Sequence, residues 1–286
     1  MERNVAIVTG ASSGIGMQIA KNLKRNGFNV FGLARRVDKM NALDNLGINT
    51  MYLDVADEDS VDAAIKQIVA QTGRIDVLVN NAGYGSFGGA VEEVPLEEGE
   101  YQFKVNVFGT MKMIQAVLPT MREQHSGRII NISSVDGKIA QLMGSWYVGS
   151  KFAIEGISDA LRLELKPFGI DVIVVEPGVV ASEWSAVAMD KLVDSSANGP
   201  YAGMARQAQN FMTATSQFAS QPRVVARLVD MAAISRRPKT RYAGGAGAKL
   251  GLCARKVLSD RAMDALMTAM YRYTSKMVNH EIAINR

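Results

Sequence analysis

One cysteine, two histidines and two tryptophans are all that 286 residues hold of those types. The lone thiol, Cys253, closes no internal disulfide and builds no multi-cysteine zinc site, which points to a reducing compartment. With only His125 and His280 beside it, a metal would have to be held by carboxylates, and none is expected. No run comes near 18 consecutive apolar residues, so no membrane-spanning helix is expected. The first residues, MERNVAIVTG, lack the basic, apolar and small-residue order of a secretory leader, and the chain reads as cytoplasmic. Aromatics are 7% of the chain and do not interleave with the basic residues, so nucleic acid is not an expected partner.

Hydrophobic residues make up 48% and charged residues 21%, which excludes disorder and leaves room for one well-buried core. The net charge of +4 is unevenly spread: residues 221–286 carry 13 basic and 4 acidic side chains, which leaves the remainder at −5. A basic end on a slightly acidic body suits weak contact with an anionic surface such as a membrane, or a solvated helix.

Up to about residue 180, short β-rich runs alternate with amphipathic segments. Val5–Val8, Val30–Leu33, Thr50–Leu53, Val77–Val79, Arg128–Ile132 and Ile170–Val175 read as strands; 14–26, 58–72, 98–124 and 146–167 read as helices. Strands joined by helix-length crossovers pair in parallel, and all-apolar strands such as VAIV demand cover on both faces. The expected fold is a single α/β domain, a doubly wound parallel sheet of Rossmann type, with its core in 1–182.

Residues 183–220, with Met189, Met204, Phe211, Met212 and Phe218, read either as a pliable cover over a greasy substrate or as ordinary packing helices. In the basic extension 221–286, Pro222 opens a helix, Thr240–Ala243 adds a strand, GGAGAKLG reads as a flexible connector, and 258–278 forms a final amphipathic helix. The apolar excess of helices 98–124 and 146–167 suggests pairing into a homodimer or homotetramer.

The first strand runs into Thr9-Gly10-Ala11-Ser12-Ser13-Gly14-Ile15-Gly16 and then a helix. Glycines there permit a tight turn and close approach of a diphosphate, while the helix start offers free N–H groups and a positive dipole end. After the second strand, where a carboxylate would hold a free ribose 2′-hydroxyl, stand Arg35 and Arg36. Two guanidinium forks suit a 2′-phosphate, which favours NADP(H) over NAD(H). Asp54 could take the adenine amino group or cap the next helix, and Asn80-Asn81-Ala82-Gly83 could line the cleft or turn the chain.

Tyr147 and Lys151 lie four apart on an expected helix, so an ammonium stands near a phenol and should acidify it for proton exchange with an alcohol or carbonyl oxygen. Either Ser133 or Ser134, at a strand end, could hold that oxygen.

Taken together, TGASSGIG at 9–16, NNAG at 80–83, Asn106 in VNVFG, Ser134 in NISS, Tyr147 to Lys151 and Pro177-Gly178 resemble the short-chain dehydrogenase/reductase family in order and spacing. The resemblance covers about residues 4–182, and its finer likeness is to NADP-preferring hydroxysteroid and retinol dehydrogenases and acyl-dihydroxyacetone-phosphate reductases. It implies catalysis by Asn106, Ser134, Tyr147 and Lys151, with Ser134 chosen over Ser133 and Asn106 holding a water that links the lysine to solvent. It implies coenzyme contacts from Gly10, Ser12, Ser13, Gly14, Ile15, Gly16, Asp54, Val55, Asn81, Ala82, Gly83, Tyr147, Lys151, Pro177, Gly178 and Ser182. Two positions depart from the family pattern: Ser13 stands where many NADP enzymes carry a basic residue, and Ser182 where a threonine is usual.

The implied activity is an NADP(H)-dependent interconversion of a carbonyl and an alcohol. Met143 and Trp146 beside the tyrosine suggest a bulky apolar substrate, such as a steroid, retinoid or acyl-chain ketone. Alternatives are a non-catalytic NADPH-binding regulator or a membrane-surface protein that uses its basic C-terminal helix.

Overall fold

The computed structural model describes the backbone at residues 4–85, 88–181, 192, 196 and 198–284. Seven strands form one parallel sheet: β1 Val5–Thr9, β2 Asn29–Ala34, β3 Asn49–Tyr52, β4 Val77–Asn80, β5 Gly127–Ile132, β6 Ile170–Pro177 and β7 Arg241–Gly244, in the order β3-β2-β1-β4-β5-β6-β7. Side chains of a strand alternate between faces, and in β1 both faces are sealed. Ala6 and Val8 join the helices α1 (Gly14–Arg25) and α8 (Arg223–Ile234), while Val5 and Ile7 join α3 (Glu58–Thr72) and α5 (Thr110–Glu123). Each fully buried Ile, Leu or Phe of these two layers contributes about 1.5–3 kcal/mol. The expected doubly wound architecture is present.

The chain winds outward from β1 through β2 to β3, then returns to lay β4 on the other side of β1. The carboxyl ends of β1 and β4 therefore flank a cleft that no crossover covers, the usual ligand position in such sheets. Between β2 and β3 lies the short α2 (Asn41–Asp44).

Two local expectations change. The helix expected over 98–124 is α4 (Leu96–Phe103), a π-helical turn Lys104–Gly109 and then α5, so one wide turn interrupts the ladder at Asn106. The GGAGAKLG stretch is no flexible connector. β7 ends at Gly244, Gly245 and Gly247 take φ +96° and +74°, and α9 (Ala248–Val257) starts at once with Ala248 fully buried. The glycines serve a tight turn packed under Gly178, whose own Cβ would stand 2.1 Å from the Ala246 carbonyl oxygen. The last helix, α10, runs Asp260–Ile284. Between these parts lie α6 (Ser145–Leu165) and α7 (Ala202–Ser216).

Candidate active site

One cavity of about 440 Å³ runs from Arg35 and Arg36 past the glycine turn to Tyr147 and on to Phe211 and Tyr271. Its coenzyme-like end is built by close backbone contact. Gly10 and Gly14 take φ +68° and +53°. A Cβ on Gly16 would lie 2.3 Å from the Gly10 carbonyl oxygen, and one on Gly10 would lie 2.9 Å from Ala82 Cα. Thr9 locks this turn to the end of β4: its hydroxyl accepts the N–H groups of Asn81 and Ala82 at 3.0 and 2.9 Å. Asn81 Nδ2 in return donates to the Thr9 carbonyl at 3.0 Å. Asn81 therefore both lines the cleft and turns the chain.

Ser13 caps α1 by position but its side chain accepts no first-turn N–H. The first N–H of the helix to be met from within is that of Met17, by Ser13 O at 3.2 Å, so the amides before it face the cavity with Gly14, Ile15 and Gly16 on its wall. Positive-φ glycines and free helix-start amides fit the diphosphate of a dinucleotide. Ser13 Oγ instead accepts from Arg36 at 3.0 Å, with Ser12 Oγ at 3.4 Å, which sets that guanidinium over the lip of the turn. Arg35 donates to the Tyr101 hydroxyl at 3.2 Å. Among the described residues, the cavity's only carboxylates are Asp54 and Asp136. Asp54 does not cap the next helix: its Oδ1 accepts Ala56 N–H at 2.9 Å, and Asp57 caps α3 through Asp59 and Ser60. Val55, Ala82, Gly83, Pro177 and Gly178 also line the cavity. Ser182 lies outside the described residues, as do Met189 and most of 182–197.

At the centre, α6 presents Tyr147 and Lys151 to the carboxyl end of β5. Lys151 Nζ donates to the Ile132 carbonyl at 2.9 Å and lies 5.7 Å from the Tyr147 ring centre. The expected acidification of the phenol is absent from the coenzyme-free protein. Burial first, and then the charge of Asp136, drive Tyr147 well above the usual phenol range, and hydrogen bonding with Ser134 only partly offsets them. Burial also brings Lys151 down to about 8. Of the two serines, Ser134 interacts with the phenol, and its Oγ accepts the Asp136 N–H at 3.1 Å. Ser133 Oγ is buried without a partner, about where a side chain on Gly137 would clash.

Asn106 stands behind the wall. Its Oδ1 accepts Tyr84 N–H at 2.7 Å, and Nδ2 donates to the Tyr84 carbonyl at 2.9 Å and to Ser150 Oγ at 3.0 Å. Every polar atom of that amide is spent tying the segment after β4 to α6.

Two other expectations are corrected. Met143 and Trp146 do not line the cavity. Trp146 is turned onto α4, so close to Gly99 that a Cβ there would lie 2.5 Å from the indole, and it meets Phe103 edge-on at 6.3 Å. Met143, at φ +65°, is buried among Ala205, Ala208 and Tyr271. The apolar end of the cavity is instead formed by Leu142, Val179, Val180, Phe211 and Met212. Asp136, Gln141 and Tyr271 also reach the site without having been singled out from the sequence; Tyr271 arrives from α10, 130 residues from its partner Gln141.

Residues 4–192 match the short chain dehydrogenase family. The chain is 36% identical over 262 residues to a probable short-chain type dehydrogenase/reductase, VdlC, of Helicobacter pylori, covering 92% of this chain and 96% of that one. A short-chain dehydrogenase from Streptomyces avermitilis superposes with a TM-score of 0.76 at 30% identity, over 96% and 99% of the two chains. Actinorhodin polyketide ketoreductase, solved with NADPH, superposes with a TM-score of 0.73 at 29% identity, over 86% and 98%. With the glycine turn, the strand-end serine and the tyrosine–lysine pair in one cavity, this chain belongs to the short-chain dehydrogenase/reductase family.

Proposed function

We propose that this protein is an NADP(H)-dependent carbonyl reductase or alcohol dehydrogenase acting on a bulky apolar substrate. The observation that carries the reading is the continuity of one cavity from the free amides of α1, past Ser134 and Tyr147, to an apolar end. When bound, the coenzyme supplies or accepts the hydride. The chain's own residues orient the substrate and move the proton. Ser134, whose Oγ accepts the Asp136 N–H and whose hydroxyl interacts with the Tyr147 phenol, turns that hydroxyl to the carbonyl oxygen when substrate enters. Tyr147, kept protonated by its burial, donates a proton to that oxygen as the alcohol forms. Lys151, one turn along, steadies the phenolate left behind and is held in place by the Ile132 carbonyl. Asn106 fixes the frame, and Pro177 and Gly178 line the nicotinamide side.

Preference for NADP(H) rests on Arg36, drawn over the turn by Ser12 and Ser13, with Arg35 beside it and no carboxylate at the end of β2. The NADPH-bound ketoreductase supports the same choice. Of the expected cover, α7 serves to close the apolar end with Phe211 and Met212. Oxidation of NADPH and NADH against steroid, retinoid, acyl-chain and small aromatic ketones tests the reading. NADPH with a bulky ketone should give the highest kcat/KM; an NADH preference would overturn the arginine argument.

A further inference from the structure

One carboxylate outside the cavity joins its walls. Glu155, one turn beyond Lys151 on α6, is 2% exposed and does not line the cavity. Its Oε2 accepts from Arg241 Nε and Nη2 at 3.0 and 2.9 Å and stands 3.1 Å from Lys138 Nζ. Its Oε1 is buried and receives no hydrogen bond. Each of the two cations belongs to a different wall of the site. Lys138 ends the short turn that begins at Ser134, where Gly137 N–H donates to the Ser134 carbonyl at 3.0 Å and Lys138 N–H to the Val135 carbonyl at 3.0 Å. Arg241 opens β7 and also meets Glu176 at 3.7 Å, the residue before Pro177 and Gly178. β6 and β7 stay paired up to Pro177 and Gly244.

The turn lies close on α6 because residue 137 is glycine. A Cβ there would stand 2.7 Å from Ser133 Oγ, 2.8 Å from Glu155 Cγ and 3.2 Å from the Lys151 carbonyl oxygen. Gly137 therefore seats the Ser134 turn against Lys151 and Glu155. Replacing a buried cluster of charges by packed carbon is often neutral or stabilising, so stability alone does not account for this one. What such a cluster gives is fixed geometry and a field. Lys151, beside the Tyr147 phenol, feels two negative groups, Asp136 from the turn first and Glu155 from its own helix second, and both act against the burial that would discharge it. Around Glu155 itself stand Lys138 of the turn, Arg241 of β7, Glu176 of β6 and Asp159 of α6, the last 2.8 Å from Arg241 Nη2.

We propose that Glu155 is a positioning residue for carbonyl reduction: it registers the Ser134 turn against Tyr147 and the β6–β7 wall, and keeps a negative charge one turn from Lys151. The inference rests on the carbonyl-reductase reading above, in which Ser134, Tyr147 and Lys151 share one proton transfer.

The test follows two quantities in the full chain. One is the pH profile of NADPH-dependent reduction of a bulky ketone; the other, without turnover, is the pH dependence of Lys151 acetylation by acetic anhydride, read by mass spectrometry on the coenzyme-free chain. In the parent both should turn near about pH 8. Glu155→Gln should move both down by about half a pH unit or more, whereas Glu155→Asp, which keeps the charge, should leave the acetylation midpoint at the parent's value. Lys138→Met cuts only the arm to the turn; kcat should fall about tenfold, with NADPH affinity kept and the Lys151 midpoint not lowered. An unmoved midpoint in Glu155→Gln, an equal movement in Glu155→Asp, or a parent-like kcat in Lys138→Met would overturn the proposal. Should Glu155→Gln fail to fold, Lys138→Met decides alone. The expected acetylation shift with no NADPH oxidation of any ketone by the parent would instead sink the reductase reading and leave the charge assignment standing.

Discussion

Two side chains four positions apart on α6 behave differently from what their spacing alone suggests. The sequence places an ammonium one turn from a phenol, and the pair is there, but burial dominates both groups: Tyr147 is pushed up and Lys151 down to about 8. A phenol that stays protonated is suited to giving a proton, which carbonyl reduction requires, so the pH dependence of reduction passes to Lys151. Below about pH 8 the ammonium is present to support the departing proton; above it the support is lost. The reduction rate should fall through that range, and Lys151→Met should flatten the profile at a low rate. A wild-type rate unchanged from pH 7 to 9.5 would contradict this assignment. Asp136 gives a second pH signature. Its carboxyl rises from an ordinary 3.8 to about 6, so its contribution to folding is full below pH 3.8 and is lost as pH rises through about 6. The loss amounts to about 3 kcal/mol. Asp136→Asn should therefore unfold later than the parent in denaturant at pH 8, with the gain shrinking toward pH 4; a pH-independent difference would refute it. The site tyrosine, lysine and serines were legible because their spacing is local. Asp136 was not, since a lone aspartate after a strand reads as a turn residue until Gln141 and Tyr271 stand around it.

Among the elements, the glycine turn was the most legible and the C-terminal part the least. Gly10, Gly14 and Gly16 announce a tight turn because glycine takes positive φ, as at Gly10 and Gly14, or so close an approach, as at Gly16, without strain. Gly16→Ala would put a methyl 2.3 Å from a backbone oxygen, which cannot yield like a side chain. Titration of intrinsic fluorescence should show NADPH affinity reduced by about a hundredfold or more, with folding retained; unchanged affinity would remove the turn from the coenzyme site. The run GGAGAKLG misled because glycine-rich composition also describes flexible chain; what makes it rigid is the approach of Gly178, almost 70 residues away in sequence. Asn106 is similar. Its place in a helix was readable, but the π-helical turn and the clasp on Tyr84 depend on tertiary contacts.

Across the whole molecule, the doubly wound parallel architecture followed from the alternation of apolar strands and helix-length crossovers, while the strand order itself is read from the structure. The cover over the apolar end was less readable, since α7 and α10 meet there from distant parts of the chain, joined by Phe211 and Tyr271 with ring centres 4.5 Å apart. Phe108, Phe152 and Leu163 stand 64%, 45% and 73% exposed along the π-helical turn and α6. We propose that these side chains pair two copies of the chain, and light scattering should return at least twice 30.9 kDa; a mass of one chain would dismiss the pairing. Along α10, Leu266, Met270, Tyr273 and Met277 form a second exposed seam beside Arg272 and Lys276, where the weak membrane contact expected of the basic extension would fall. The account turns most of all on the phenol that stands in the same cavity as the coenzyme cradle. Steady-state NADPH oxidation with a bulky ketone, comparing the parent chain with Tyr147→Phe, tests it directly: the account predicts a loss in kcat of about a thousandfold or more with NADPH affinity kept, and turnover undiminished in the variant would contradict it.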